Sequence, residues 1–227
     1  MLTMKDCTII IPTLNEGKNI GILVKRLRSL YPGISVIVSD DGSRDSTRKI
    51  TESFRKDVVF FDHSKSRDKG LTGSVIDAVP LAKTEFIIVM DGDMQHPPEK
   101  VNDIYQKLKK SDLVIASRSR RYIRWASADR KFLSDFGTWL ACSFLRFKGI
   151  RATDPLSGFF GFRKEIFSRM KKKRFVPGGY KVLFDMLKQM KNRDRISEVF
   201  FNFGFRNGGK SKLSSRHFFY YLESFLK

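Results

Sequence analysis

Apolar residues along the first half of the chain fall into short unbroken runs, each followed by a polar turn. Residues 7–12 (CTIIIP), 34–38 (ISVIV), 58–61 (VVFF), 86–90 (FIIVM) and 113–116 (LVIA) are such runs. Their length and β-branched content read as strands, and their lack of alternation reads as burial on both faces. Between them, 19–30 repeats apolar residues at helical intervals, and a polar helix ends near residue 56. A small-residue helix covers 73–82 and another helix covers 99–109. Strands alternating with helices predict an α/β fold, Rossmann-like, with a mostly parallel sheet covered by helices on both faces. In such sheets ligands bind beyond the carboxyl ends of the strands. The turns 13–16 (TLNE), 39–45 (SDDGSRD) and 91–96 (DGDMQH) each follow a strand directly and are therefore expected at one edge.

The pattern changes after residue 117. A dense run of arginines extends to Arg130, and 131–148 (KFLSDFGTWLACSFLRFK) then places apolar residues at 132, 133, 136, 140, 144 and 147. That is an amphipathic helix with an aromatic face and basic ends. Such a helix either packs in a core or lies in a membrane interface, and its residues alone leave both open. DPLSGFFGFRKEIF (154–167) follows, then a basic hinge KKKR, a Pro-Gly-Gly turn and a second amphipathic stretch around VLFDMLKQM. The tail from residue 203 combines cations, small residues and a last aromatic helix. With no internal repeat or low-complexity linker, one domain spanning 1–227 is expected.

Composition narrows the partners. A chain of 227 residues, 41% hydrophobic, can bury a sizeable core by ordinary packing. Its formal net charge of +20 attracts polyanions: nucleic acid, anionic lipid or phosphorylated substrates. A basic nucleic-acid-binding protein is the competing class, prompted by arginines interleaved with aromatics, but it leaves the acidic strand-end turns unexplained. Cys7 and Cys142 stand far apart in apolar surroundings, which excludes a disulfide framework and fits a reducing compartment. There is no signal-peptide pattern, and no apolar run approaches the ~20 residues of a membrane span. Membrane contact, if made, is expected to be peripheral. Neither GxGxxG nor GxxxxGK[ST] occurs, so the dinucleotide and P-loop modes lack support, and KGLTGS (69–74) is only a loose Gly-rich entry to a helix.

The sharpest chemical signal is VMDGDMQHPPE (89–99). Asp91 and Asp93, one residue apart after an apolar strand, can turn towards a shared cation. Hard oxygen ligands suit Mg²⁺ or Mn²⁺, and without a His/Cys cluster zinc is disfavoured. Solvated turns also contain such pairs; here two further acidic turns at the same edge of a strongly basic protein point to a metal and diphosphate ligand.

IPTLNE, SDDGSRDST and MDGDMQHPPE together resemble glycosyltransferase family 2, with its GT-A fold. ASR (116–118), DRKFLS (129–134), DPLSGFF (154–160) and FRNGGKSKL (205–213) are similar to the dolichyl-phosphate mannose synthases within it. The match runs in order across nearly the whole chain. MDGDMQHPPE and DPLSGFF are its most specific pieces. The resemblance implies a nucleotide-sugar-binding half over 1–117 and an acceptor- and membrane-facing half over 118–227, with amphipathic interface helices in the C-terminal third.

It also implies roles. Pro12, Leu14, Glu16, Ser39 and Asp41 match positions that hold the nucleoside. Asp91, Gly92 and Asp93 match the donor and metal motif, and Gln95 a further metal contact. Arg118 matches the cation that meets the reacting phosphates, and Asp93 and Arg118 are the catalytic pair. Arg130 and Ser134 match ligands of the acceptor phosphate, and Arg206 and Lys212 match cations of a loop that closes over the donor diphosphate. His96 reads as a packing or capping residue before Pro97, since a lipid phosphate needs no base.

The implied reaction is inverting transfer of mannose from GDP-mannose to dolichyl phosphate with Mg²⁺ or Mn²⁺, the alternative being UDP-glucose to a polyprenyl phosphate. The implied place is peripheral, on the cytoplasmic face of a membrane with an anionic surface, aided by a small membrane subunit or a further C-terminal segment. No nucleic-acid partner is expected. Two residues depart from the family pattern: Gly92, where alanine is usual, and Asp185, where glutamate is usual.

Overall fold

The computed structural model describes residues 3–55, 58–119, 128–202 and 215–227, with side chains from 135 and 219 onwards in the last two segments. Among the described residues seven strands form one sheet: β1 (Cys7–Thr13), β2 (Ser35–Asp40), β3 (Val58–Asp62), β4 (Phe86–Val89), β5 (Leu113–Arg118), β6 (Phe160–Arg163) and β7 (Ile196–Phe201). Their order is β3-β2-β1-β4-β6-β5-β7. All neighbours are parallel except β6, which runs antiparallel to β4 and β5. The α/β sheet expected from the apolar runs is thus present, and β1 to β5 lie within a few residues of those runs.

Alternate strand residues feed two cores. Ile10 packs with Val75, Phe160 and Leu183 on one face. Ile9 and Ile11 pack with Leu23, Leu27 and Ile104 on the other. The first face carries α3 (Leu71–Ala78), α5 (Ala128–Phe147), α6 (Lys164–Ser168), α7 (Val182–Leu187) and α8 (Ser215–Leu226); α1 (Ile20–Leu30) and α4 (Val101–Leu108) cover the second. The short α2 (Thr47–Glu52) lies beside β3. The small-residue helix is offset from the 73–82 expected and ends in a 3-10 turn at Val79–Leu81, where Pro80 lacks the amide to continue it.

Two strands are not evident in the sequence. β6 is four residues long and contains Gly161, two features that weaken any β signal. The glycine is needed, because a Cβ there would meet Ile104 Cγ2 at 2.7 Å and Leu108 Cδ1 at 2.8 Å where α4 packs on the strand. β7 is a sheet-edge strand, paired in register with β5 alone among the described residues.

The antiparallel insertion places the site. Val89 and Ile115, near the carboxyl ends of β4 and β5, both pair with Phe160, the first residue of β6. The DPLSG loop that precedes β6 therefore arrives at the same edge as the turns after β1, β2 and β4.

Candidate functional site

The β1 and β2 turns interlock. Asp40 Oδ2 accepts the amides of Gly42 and Ser43, and Oδ1 accepts the Thr13 hydroxyl at 2.9 Å, so this carboxylate builds the turn itself. Asp45 accepts the amide of Gly17, and the Thr47 hydroxyl accepts that of Glu16. Asn15 is left-handed at φ 55 and bonds across to Ser43 and Arg44. Glu16 and Asp41 are thereby fixed at the mouth, both partly exposed, with Leu14 beside them. Pro12 is buried beyond the last β4 pairing, where its missing amide costs no ladder bond. Ser39 is different: its side chain turns inward and donates to the Ser74 carbonyl at 2.8 Å, which packs α3 on β2.

After β4 the chain turns sharply. Met94 is left-handed at φ 66, and Asp93 Oδ1 accepts the Gln95 amide at 3.1 Å, closing an Asx turn. Asp93 is buried and the Asp91 carboxylate half exposed. A Cβ on Gly92 would lie 3.5 Å from Glu16 Cγ, so the β1 and β4 turns touch. His96 is buried against Phe159, ring to ring at 5.1 Å. Its Nδ1 accepts the Asp91 amide at 3.0 Å, which leaves the proton on Nε2. Burial lowers its pKa despite the neighbouring aspartates. The imidazole is a neutral strut under Asp91, as its packing role requires.

The DPLSG loop closes the other wall. Arg118 forms a bidentate pair with Asp154, Nε to Oδ2 at 2.7 Å and Nη2 to Oδ1 at 2.8 Å, and its backbone amide adds a third bond. Burial alone would raise the Asp154 pKa; hydrogen bonds and charge from Arg118 outweigh it and hold the carboxyl below its usual range. Gly158 presses on Asp91 so closely that a Cβ would stand 2.9 Å from Oδ2. Lys181, which the sequence did not single out, donates from Nζ to the Leu156 carbonyl at 3.1 Å. Burial, then the charge of Arg118, lowers its pKa to about 8, with Asp154 and Asp91 opposing. Its only sequence mark is its place after the Pro-Gly-Gly-Tyr turn.

Glu16, Asp41, Asp91, Asp93, Gln95 and Arg118 thus share one sheet edge. Arg130 and Ser134 fall a turn apart in the first half of α5, but their side chains lie outside the described residues, as do Arg206 and Lys212 altogether. Among the described residues no three His, Cys, Asp or Glu side chains gather as a metal cage. The chain's own oxygen donors after β4 are two carboxylates and the Gln95 amide. That set fits a hard divalent cation that completes its shell with water and substrate oxygens, and the neutral, backbone-bonded His96 does not favour zinc.

The two aromatic helices leave apolar side chains bare. On α5, Phe136 and Trp139 stack at 5.9 Å and are exposed, Trp139 by 61%, and Phe147 is 97% exposed. Phe144, expected on that same open face, instead packs against Phe184 and Phe225. On α8, Phe219, Leu222 and Leu226 are exposed. Among the described residues no helix is long and apolar enough to cross a membrane.

The family model described as Glycosyl transferase family 2 matches residues 8–204. The dolichol-phosphate mannosyltransferase of Pyrococcus furiosus is 32% identical over 224 residues, 95% of this chain and 61% of that protein. The chain therefore spans about three-fifths of this relative's length. The undecaprenyl-phosphate mannosyltransferase of Micrococcus luteus is 29% identical over 215 residues, 90% of this chain and 86% of that one. Among solved structures, glucosyl-3-phosphoglycerate synthase from Mycobacterium tuberculosis, in complex with Mn²⁺, UDP-glucose and phosphoglyceric acid, superimposes with a TM-score of 0.74. It is 18% identical, with 98% of this chain and 78% of that chain covered, and shares the fold.

Proposed function

Given that the chain belongs to glycosyl transferase family 2, we propose that it moves a sugar from a nucleotide donor to the phosphate of a polyprenyl lipid. In the finer form, mannose passes from GDP-mannose to dolichyl phosphate. The observation that carries this is the meeting of the Asp91–Asp93 turn with the cationic wall of Arg118 and Lys181 through Gly158. It is supported by identity to relatives named as mannosyltransferases of dolichol and undecaprenyl phosphate.

In this reading Glu16 and Asp41, with the backbone around Pro12, Leu14 and Ser39, hold the nucleoside. Arg118 and Lys181 meet the phosphates, joined by Arg206 and Lys212, while Arg130 and Ser134 take the lipid phosphate. A divalent cation, Mg²⁺ or Mn²⁺, held by Asp91, Asp93 and Gln95 would supply further positive charge to the leaving diphosphate. A lipid phosphate is already anionic at neutral pH. Its oxygen attacks the anomeric carbon as the bond to the nucleoside diphosphate breaks, and the configuration inverts in one displacement. Catalysis is then positioning and charge stabilisation. His96, neutral and bonded to a backbone amide, is not asked to act as a base.

The donor assignment is checked by offering GDP-mannose and UDP-glucose separately with polyprenyl phosphate and Mn²⁺. GDP-mannose should be used faster; faster transfer from UDP-glucose reassigns the donor. A second check concerns Gly158→Ala. The added methyl must push the Asp91 carboxylate aside, so turnover should fall roughly a hundredfold, as for an ångström of misplacement. Unchanged turnover would remove Asp91 from the reacting centre.

The acceptor places the protein at a bilayer. Exposed Phe136, Trp139 and Phe147 on α5, and Phe219, Leu222 and Leu226 on α8, are apolar contacts for an anionic surface that also draws the basic residues, at ~1 kcal/mol each near the surface. Binding to anionic vesicles should weaken with salt and with Phe136→Asp combined with Trp139→Asp. Phe144→Asp should destabilise the fold instead, because its ring lies against Phe184. Failure to sediment with anionic vesicles at low salt would assign attachment to another segment or a partner.

A further inference from the structure

Behind the strand-end loops lies a polar cluster of which the proposed nucleoside contact uses only Asp41. His63, in the turn after β3, is fully buried, and its ring stands between two carboxylates. Nδ1 is 3.1 Å from Asp41 Oδ1, and Nε2 is 3.1 Å from Asp77 Oδ2 on α3. Asp77 also accepts from the Ser66 hydroxyl at 3.0 Å and from Lys172 Nζ at 2.7 Å. The second Asp41 oxygen accepts the Gly70 amide at 3.0 Å, and the Ser74 hydroxyl lies 3.2 Å from Nδ1.

A carboxylate oxygen only accepts, so the Asp41 contact calls for a proton on Nδ1. The Asp77 contact asks the same of Nε2, and Lys172 and Ser66 donate to Asp77 beside it. The ring is thus braced from behind and holds Asp41 from the front. Each Asp41 oxygen keeps a second lone pair for a ligand beyond the end of β2, while its direction is set by His63 and Gly70. The far brace, Lys172, comes from the second half of the chain, whose Pro177 and Gly179 carbonyls also accept the Gly73 and Thr72 amides at the start of α3.

We propose that His63 is a positioning residue for donor recognition: held by Asp77 and Lys172, it aims the Asp41 carboxylate at the nucleoside. This rests on the assignment of Asp41 to the nucleoside, so the test includes Asp41 itself. GDP binding by calorimetry, donor KM, lipid-phosphate KM and kcat are measured for Asp41→Ala, His63→Phe, His63→Asn, Asp77→Asn and the Asp41→Ala/His63→Phe pair. Asp41→Ala and His63→Phe should each weaken GDP binding and raise donor KM roughly tenfold, the effect of a lost hydrogen bond to a charged group. The lipid-phosphate KM and kcat should stay within about twofold. His63→Asn, which keeps a donor near the Nδ1 position, should recover part of the loss, and the double variant should bind GDP no worse than Asp41→Ala alone.

An unaltered GDP affinity in Asp41→Ala would remove the nucleoside assignment. An Asp41→Ala effect with a normal donor KM in His63→Phe would overturn the proposal, as would equal rises in both KM values or additive losses in the double variant. Should His63→Phe fail to fold, Asp77→Asn decides: donor KM should rise selectively, and an unchanged value would overturn the proposal.

Discussion

Asp91→Asn and Asp93→Asn are each expected to lower turnover by roughly a hundred to a thousandfold, the scale of losing a central electrostatic group in a closed site. Asparagine keeps the size of each side chain and removes its charge. Asp91 is half exposed beside Gly158, so its charge faces the open sheet edge rather than the core. Asp93 is buried and closes the turn through the Gln95 amide, a bond the asparagine oxygen can still accept. Both variants should therefore keep their circular dichroism and thermal midpoint while losing transfer. Excess EDTA should impose a comparable loss on the unaltered protein. Equal activity in EDTA and in Mn²⁺ would remove the metal, and full activity in either variant would remove the carboxylates from the mechanism.

The second large effect belongs to the Arg118–Asp154 pair, and it touches stability as well as activity. Both groups are mostly buried, with side-chain exposures of 21% and 8%. Removing one member strands the other charge, which costs about 3–5 kcal/mol in comparable buried pairs. Asp154→Ala should therefore lower the unfolding free energy by about that amount and misdirect the guanidinium, reducing turnover further. Arg118→Lys should lose turnover too, since an ammonium cannot reproduce the two parallel bonds. The pH dependence has a definite sign. The Asp154 carboxyl is held below its ordinary value, near 3.8, when folded. Its stabilising contribution is complete above the unfolded pKa and is lost as pH falls through the lower folded value. Denaturant titrations should show the wild-type advantage over Asp154→Ala at neutral pH and its disappearance in strong acid. A constant difference across that range would contradict the ion-pair account.

These expectations draw unevenly on the sequence. β1, β2, β4 and β5 announce themselves because strands buried on both faces must be apolar throughout, and the turns that follow them inherit a common edge. That logic places Asp41, Asp91 and Asp93 together, and the family resemblance adds Arg118. It cannot place Gly158 and Asp154, which reach the edge only because β6 enters between β4 and β5 in the opposite direction. The DPLSGFF resemblance marks the stretch, but the reason for its glycine is the carboxylate of Asp91, 67 residues earlier in the chain and adjacent only in space. Lys181 and His63 carry no local signature, since each acquires its partners from distant segments. Ser39 and Phe144 show the converse. A position on a strand or helix does not fix which way a side chain turns, and here packing claims both.

The most direct test of the account follows the sugar into the lipid. The protein is incubated with radiolabelled GDP-mannose and Mn²⁺, with and without polyprenyl phosphate, and extracted with organic solvent. The account predicts label in the organic phase only when the lipid phosphate is present, lost in the Asp91→Asn and Asp93→Asn variants. Label that stays aqueous with the lipid phosphate present, whether GDP-mannose or UDP-glucose is supplied, would contradict it.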